Sequence, residues 1–180
     1  MDTIEQIQAI LSAARFAAEK HSRQRRKGDA AEPYVNHLIE VAELVAMSLP
    51  EPDTNLVIAA LLHDSIEDAG VTAADLASRF GADVAGLVGE VTDDKSLPKQ
   101  ERKRLQVENA PKKSARAQTI KLADKISNLR SMLASPPAGW DYDRKREYFV
   151  WARRVVDGLT APNAMLKAEF DSTFSKFDGL

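Results

Sequence analysis

The six residues from His63 to Asp68, His-Asp-Ser-Ile-Glu-Asp, hold one imidazole and three carboxylates directly after an apolar run from Val57 to Leu62. A helix through this stretch repeats about every 3.6 residues, so His63 stacks under Glu67 and Asp64 under Asp68. Ala59, Ala60, Leu62 and Ile66 form the other side of that helix. Carboxylates this close repel one another unless a positive charge sits among them. A divalent cation held by His63 and Asp64 relieves the repulsion and leaves Glu67 and Asp68 free to handle protons one turn away. The plainer alternative is an exposed acidic helix end with a stray histidine. Two matching pieces elsewhere in the chain favour the metal.

The first piece is His37, in the opening turn of a helix whose apolar side is Val35, Leu38, Val41, Ala42 and Val45. The second is Asp124, which shares a helix face with Asn128 four residues on. His37, His63, Asp64 and Asp124 together offer two neutral imidazoles and two carboxylates, with no thiol. That donor set suits Mn²⁺, Fe²⁺ or Zn²⁺. Two positions stay open for water and substrate, as catalysis needs. Four of the five residues Arg23 to Lys27 are basic, in a segment from His21 to Pro33 that Gly28 and Pro33 make a loop by breaking the helix. Alone, such a run is a solvated loop; beside an acidic, metal-like site it suits a polyanion such as a phosphorylated nucleotide. Lys99, Arg102, Lys103 and Arg104 read mainly as a solvated face from which one or two side chains reach the ligand.

The elements that must position these groups are all helical. Apolar periodicity predicts helices from Thr3 to His21, with Thr3 as the cap, and from about Pro33 to Leu49, ended by Pro50 and Pro52. A third, capped by Asp53 or Thr54, carries the central motif and stops near Ala69-Gly70. Thr72 and Asp75 form a capping box that opens a short helix to Phe80. Further helices run from about Asp83 to Val91, from Pro98, from Ser114 to about Leu133, from about Asp141 to Gly158 and from Pro162. No stretch shows sustained strand alternation. The expectation is one all-α domain over residues 1–180, with eight or nine helices. Its 44% hydrophobic and 29% charged residues are those of an ordinary globular protein. The net charge of −2 excludes a nucleic-acid-binding polycation. The absence of cysteine removes disulfides and thiolate metal sites and fits a reducing cytosol. No apolar run is long enough to span a membrane, and the start of the chain does not read as a signal peptide.

The pattern H…HD…D, with the doublet ending a helix, is that of the HD-domain phosphohydrolases. Arg25-Arg-Lys27, Pro33-Tyr-Val-Asn-His37, Ala60 to Asp68, Glu90 to Lys95, Leu97 to Arg104 and Lys121 to Arg130 narrow it further. Through them the chain resembles the small alarmone hydrolases, close to the metazoan stand-alone form and to the hydrolase domain of the RelA/SpoT-homologue family. The resemblance implies cleavage of the 3′-pyrophosphate of ppGpp and pppGpp, giving GDP or GTP plus pyrophosphate, with one Mn²⁺ per site, in the cytoplasm. It implies His37, His63, Asp64 and Asp124 as metal ligands, and Glu67 and Asp68 as the pair that positions or deprotonates the attacking water. Asn128 then holds substrate near the metal, Arg26 and Lys27 lie against the nucleotide, and Lys99 and Tyr148 touch its phosphates and sugar. Relatives prefer adenosine alarmones such as ppApp, and the metazoan form also acts on the 2′-phosphate of NADPH. The reading from a different class is an idle HD fold that binds an alarmone; the intact Glu67-Asp68 pair argues against it. The synthetase and regulatory segments of the long family members are not found here. The tail from Phe149 offers Asp171 and Asp178 but no ATP site, so degradation without synthesis is expected.

Overall fold

The computed structural model describes residues 2–177; Met1 at one end of the expected domain, and Asp178 to Leu180 at the other, lie outside the described residues. Those residues form ten α-helices: α1 (Thr3–Lys20), α2 (Val35–Ser48), α3 (Thr54–Leu62), α4 (Ser65–Ala69), α5 (Ala73–Phe80), α6 (Ala82–Val91), α7 (Lys99–Asn109), α8 (Ala115–Ala134), α9 (Tyr142–Asp157) and α10 (Ala164–Phe174). A single 3₁₀ turn (Ala110–Lys112) joins α7 to α8. Strand-like pairing is confined to two isolated bridges, Arg25 with Pro33 and Gly28 with Pro137. The all-α expectation holds. The count is nine when α3 and α4 are taken together, because the helix predicted through the central motif is divided at His63-Asp64.

Local chemistry sets the helix ends. Asp2, rather than Thr3, caps α1, in a reciprocal box with Glu5. Asp53 caps α3 through the Leu56 amide, and Thr72 with Asp75 opens α5 as expected. Ser114, Asp141 and Asn163 cap α8, α9 and α10, so the last helix starts at Ala164, two residues after the expected Pro162, capped by an asparagine side chain. Gly70 closes α4 at φ 67°, a left-handed cap that a side chain would strain.

At the centre lies α3, in which every residue from Leu56 to Leu62 is buried. It packs against α1, α2, α6 and α8. A helix apolar all round belongs in a core, and its burial fixes where its last residues point. The long α8 is buried almost continuously from Ala117 to Leu129 and packs on α2, α6, α9 and α10. Ile120, Leu122, Ile126 and Leu129 fill that interface, each fully withdrawn from water. Each such side chain contributes about 1.5–3 kcal/mol by burial. Phe149 and Phe170 close the α9–α10 side, also fully buried. No helix among the described residues is long and apolar enough to cross a membrane.

Candidate active site

Three packed segments deliver four side chains to one point. His37 comes from the first turn of α2, His63 and Asp64 from the α3–α4 junction, and Asp124 from the middle of α8. The two imidazole rings meet edge to face with centroids 5.2 Å apart. Donor atoms of His37, His63 and Asp124 all lie within 4.8 Å of one another, a spacing that could hold a metal ion. His37 Nε2 is 3.4 Å and His63 Nε2 3.9 Å from Asp124 Oδ1. Asp64 joins the group with Oδ2 3.1 Å from His63 Nε2 and 3.7 Å from His37 Nε2.

The division between α3 and α4 produces this convergence. His63 keeps helical angles, but Asp64 turns out of register at φ −97°, ψ 1°. The Asp68 amide still donates to the Asp64 carbonyl at 2.8 Å, so the expected one-turn spacing of Asp64 and Asp68 survives the break. Asp64 faces the imidazoles, while Glu67 and Asp68 meet other neighbours. His63 Nδ1 donates to the Ala60 carbonyl at 2.8 Å, since a carbonyl can only accept. Its Nε2 is then the atom aimed at the cluster, buried with no well-aligned hydrogen-bond partner. A buried nitrogen aimed among carboxylates fits a cation ligand.

Electrostatics make both carboxylates anionic and leave His63 a proton that a bound cation would displace. Burial pulls His37 below the usual histidine range and outweighs the attraction of Asp124. At His63 burial also opposes charge, but the Asp64 and Asp124 carboxylates prevail and the imidazole is raised to about 9. For Asp64, burial is overcome by His63 and His37, which hold the carboxyl well below its usual range. For Asp124, burial is overcome by Lys125 and the two imidazoles, with the same result. Both carboxylates are thus anionic donors throughout the physiological range.

Glu67 and Asp68 stand beside this cluster. Glu67 accepts from the Asp93 amide at 3.3 Å and approaches Arg102 at 3.5 Å. Burial, reinforced by the charges of Asp93 and Asp64, raises it above the ordinary glutamate range. Asp68 accepts from Gln24 Nε2 at 3.1 Å and from Lys95. Asn128 donates to Asp124 Oδ1 at 2.5 Å, so the pair predicted to share a face does so.

Two adjoining clefts open onto these groups. The first lies between the basic loop and α8–α9, lined by Arg26, Lys27, Lys99, Asn128, Tyr148 and Trp140 among others. The second runs over Asp64, Glu67, Asp124, Arg102, Lys103 and Lys125. Lys27, Lys99, Asn128 and Tyr148 line both. All four substrate-contact residues named from sequence thus reach the cleft walls. Of the α7 basic residues, Lys99, Arg102 and Lys103 face in, whereas Arg104 pairs outward with Glu101 and Glu108.

Some cleft residues escaped sequence reasoning. Tyr34 Oη donates to Asp64 Oδ2 at 2.6 Å, and burial together with the Asp64 charge keeps that phenol protonated. Its position three residues before His37 was the available signal. Lys125 holds Asp124 Oδ2 at 3.0 Å while its ammonium sits 4.5 Å from the Trp151 ring centroid. Trp140 lies in the loop before α9, flanked by Arg144 at 4.4 Å and Lys99 at 5.7 Å.

The model of the family described as HD domain matches residues 13–152, which include every candidate site residue. The chain is 50% identical over 165 residues to guanosine-3′,5′-bis(diphosphate) 3′-pyrophosphohydrolase MESH1 of Drosophila melanogaster, covering 92% of each chain. The chain belongs to the HD domain family, with the MESH1 pyrophosphohydrolases. Human MESH1 is 48% identical over 167 residues, 93% of each chain. A solved structure described as "A metazoan ortholog of SpoT hydrolyzes ppGpp and plays a role in starvation responses" superposes with a TM-score of 0.90 at 48% identity. That match covers 96% of this chain and 97% of the other. For this HD domain protein, family and fold agree with the resemblance carried by the sequence motifs.

Proposed function

We propose that this protein hydrolyses the 3′-pyrophosphate of (p)ppGpp, yielding GDP or GTP plus pyrophosphate, as a single catalytic domain bearing a divalent cation, Mn²⁺ by the family resemblance. The observation that carries this reading is the convergence of His37, His63, Asp64 and Asp124 beside Glu67 under a cation-lined cleft. The names of near-full-length relatives supply the substrate. The lack of cysteine and of a membrane-spanning helix among the described residues fits a protein of the cytoplasm.

His37, His63, Asp64 and Asp124 would hold the cation, whose contribution is to polarise a phosphoryl oxygen and acidify water. Glu67, raised by burial and flanking carboxylates, is suited to take the proton of the attacking water. Asp68, braced by Gln24 and Lys95, orients that water. Water adds to the phosphorus borne by the 3′ oxygen, the bond from that phosphorus to the 3′ oxygen breaks, and the 3′ oxygen leaves as the hydroxyl of GDP or GTP, taking up in net the proton the water gave up. Lys99, Arg102, Lys103, Lys27 and Arg26 line the walls where a polyphosphate would lie, and preorganised cations stabilise charge as it shifts. Asn128, which donates to Asp124 Oδ1, would touch the substrate beside the cation.

The test is a panel of ppGpp, ppApp and NADPH with chelator-treated protein and added Mn²⁺, products separated by chromatography. Mn²⁺-dependent release of pyrophosphate from ppGpp is expected. Undiminished turnover by metal-free protein would overturn the metal assignment. Consumption of none of the three would leave a binding module instead.

A further inference from the structure

Behind His37 runs a hydrogen-bond chain in which no member touches the cleft. Glu40 Oε1 accepts from Arg130 Nη1 at 2.8 Å, and Glu40 Oε2 accepts from the Ser127 hydroxyl at 2.6 Å. His37 Nδ1 lies 2.8 Å from the same Ser127 oxygen. A carboxylate held by arginine can only accept, so the single hydroxyl proton of Ser127 is spent on Glu40. The proton between Ser127 and His37 therefore comes from the imidazole. We infer that Ser127 and Glu40 are positioning residues that hold His37 as the Nδ1–H tautomer and so present its Nε2 lone pair to the cation. This inference rests on the metal reading of the site proposed above.

The helices are built for the task. His37 and Glu40 are three apart on α2, and Asp124 and Ser127 are three apart on α8. Residues three apart share a helix face, so α8 addresses both nitrogens of one ring: Ser127 at Nδ1 and Asp124 near Nε2. Without the chain, the opposite tautomer gains a ready partner, because Asp124 Oδ1 lies 3.4 Å from Nε2 and can accept its proton. That tautomer cannot ligate. Ser127 is fully buried, so bulk water does not replace its hydroxyl. Arg130 in turn donates to Glu169 of α10 at 2.8 Å, which anchors the far end of the chain to a third helix. Loss of such partners to a ligating imidazole typically costs about 10–100-fold in metal affinity.

The experiment uses the full chain, wild type, Ser127→Ala and Glu40→Gln. In Glu40→Gln, Arg130 retains the amide oxygen and the amide nitrogen turns to Ser127. The hydroxyl then points at His37 Nδ1 and imposes the wrong tautomer without changing side-chain shape. The ¹⁵N shifts of the His37 ring in metal-free protein report the tautomer directly, and calorimetric titration with Mn²⁺ reports affinity. Wild type should show Nδ1–H. Both variants should populate Nε2–H and bind Mn²⁺ about 10–100-fold more weakly, with far-UV circular dichroism unchanged for Glu40→Gln. An Nδ1–H imidazole, or wild-type affinity, in Glu40→Gln overturns the inference. Failure of wild-type protein to take up Mn²⁺ would instead refute the site reading, while the tautomer shifts still decide whether the chain sets the ring.

Discussion

Glu67 is the side chain whose surroundings suit it most clearly to proton transfer. Burial first, then the charges of Asp93 and Asp64, push it up from the usual glutamate range. A general base works deprotonated, so turnover should fall as pH drops through its raised pKa and hold above it. Asp93→Asn removes one of the charges that raise it, which moves the acidic limb of the kcat–pH profile to lower pH; a limb that stays in place would separate Asp93 from the proton. Glu67→Gln should lower kcat about 10²–10⁴-fold while metal content stays near wild type, and loss of the metal in that variant would make Glu67 a ligand. At this scale the sequence was legible where chemistry is compressed into neighbouring positions: the His63-Asp64 doublet and the Glu67-Asp68 pair identify themselves. Tyr34, Lys125 and Trp140 did not. Their parts depend on which helices pack together, and beyond Tyr34's place three residues before His37 the sequence carries no such signal.

The elements repeat that division. Caps with a side-chain signature, such as Thr72 with Asp75 and Ser114, could be read directly, and so could the α4 stop at Gly70. The break between α3 and α4 could not, because neither proline nor glycine marks it. It arises where the buried stretch of α3 ends and Asp64 turns toward the imidazoles and Tyr34. The loop from Ser22 to Pro33 was read as basic and irregular. The structure adds that it is clasped: Arg26 N donates to Glu32 O at 2.9 Å, Tyr34 N to Gln24 O at 3.1 Å, and Ala30 N to Ser135 Oγ at 2.9 Å. Gly28 passes so close to Ser135 that a Cβ would run into the Ser135 carbonyl, which is backbone and cannot step aside. Gly28→Ala should therefore push this wall of the cleft outward, raising KM for ppGpp several-fold with Mn²⁺ affinity little changed. Arg26→Ala and Lys27→Ala should raise KM through lost charge and blunt its salt dependence. Steady-state kinetics at two ionic strengths separates the cases, and an unchanged KM in all three would return the loop to a solvated role.

For the whole molecule, the site is also a fastening. Its four proposed ligands come from α2, the α3–α4 junction and α8, so a cation bound there ties together helices far apart in sequence, around the most buried part of the core. Without it, carboxylates and imidazoles crowd a buried point where only His63, raised to about 9 by Asp64 and Asp124 against the pull of burial, supplies compensating charge from within the cluster. Binding to the folded state alone adds stability by mass action, about 2.7 kcal/mol at a hundred times Kd. At this chain length each kcal/mol moves Tm by about 2–4 °C, so saturating Mn²⁺ should raise Tm by about 5–11 °C over chelator-treated protein. The gain should be matched by slower amide exchange in α2, α3–α4 and α8, and not in α5 or α10, which contribute no ligand. His63→Ala should lose the Tm response to Mn²⁺, while Glu67→Gln should keep it. A wild-type Tm that ignores Mn²⁺, or a response retained in full by His63→Ala, would place any bound cation outside this cluster.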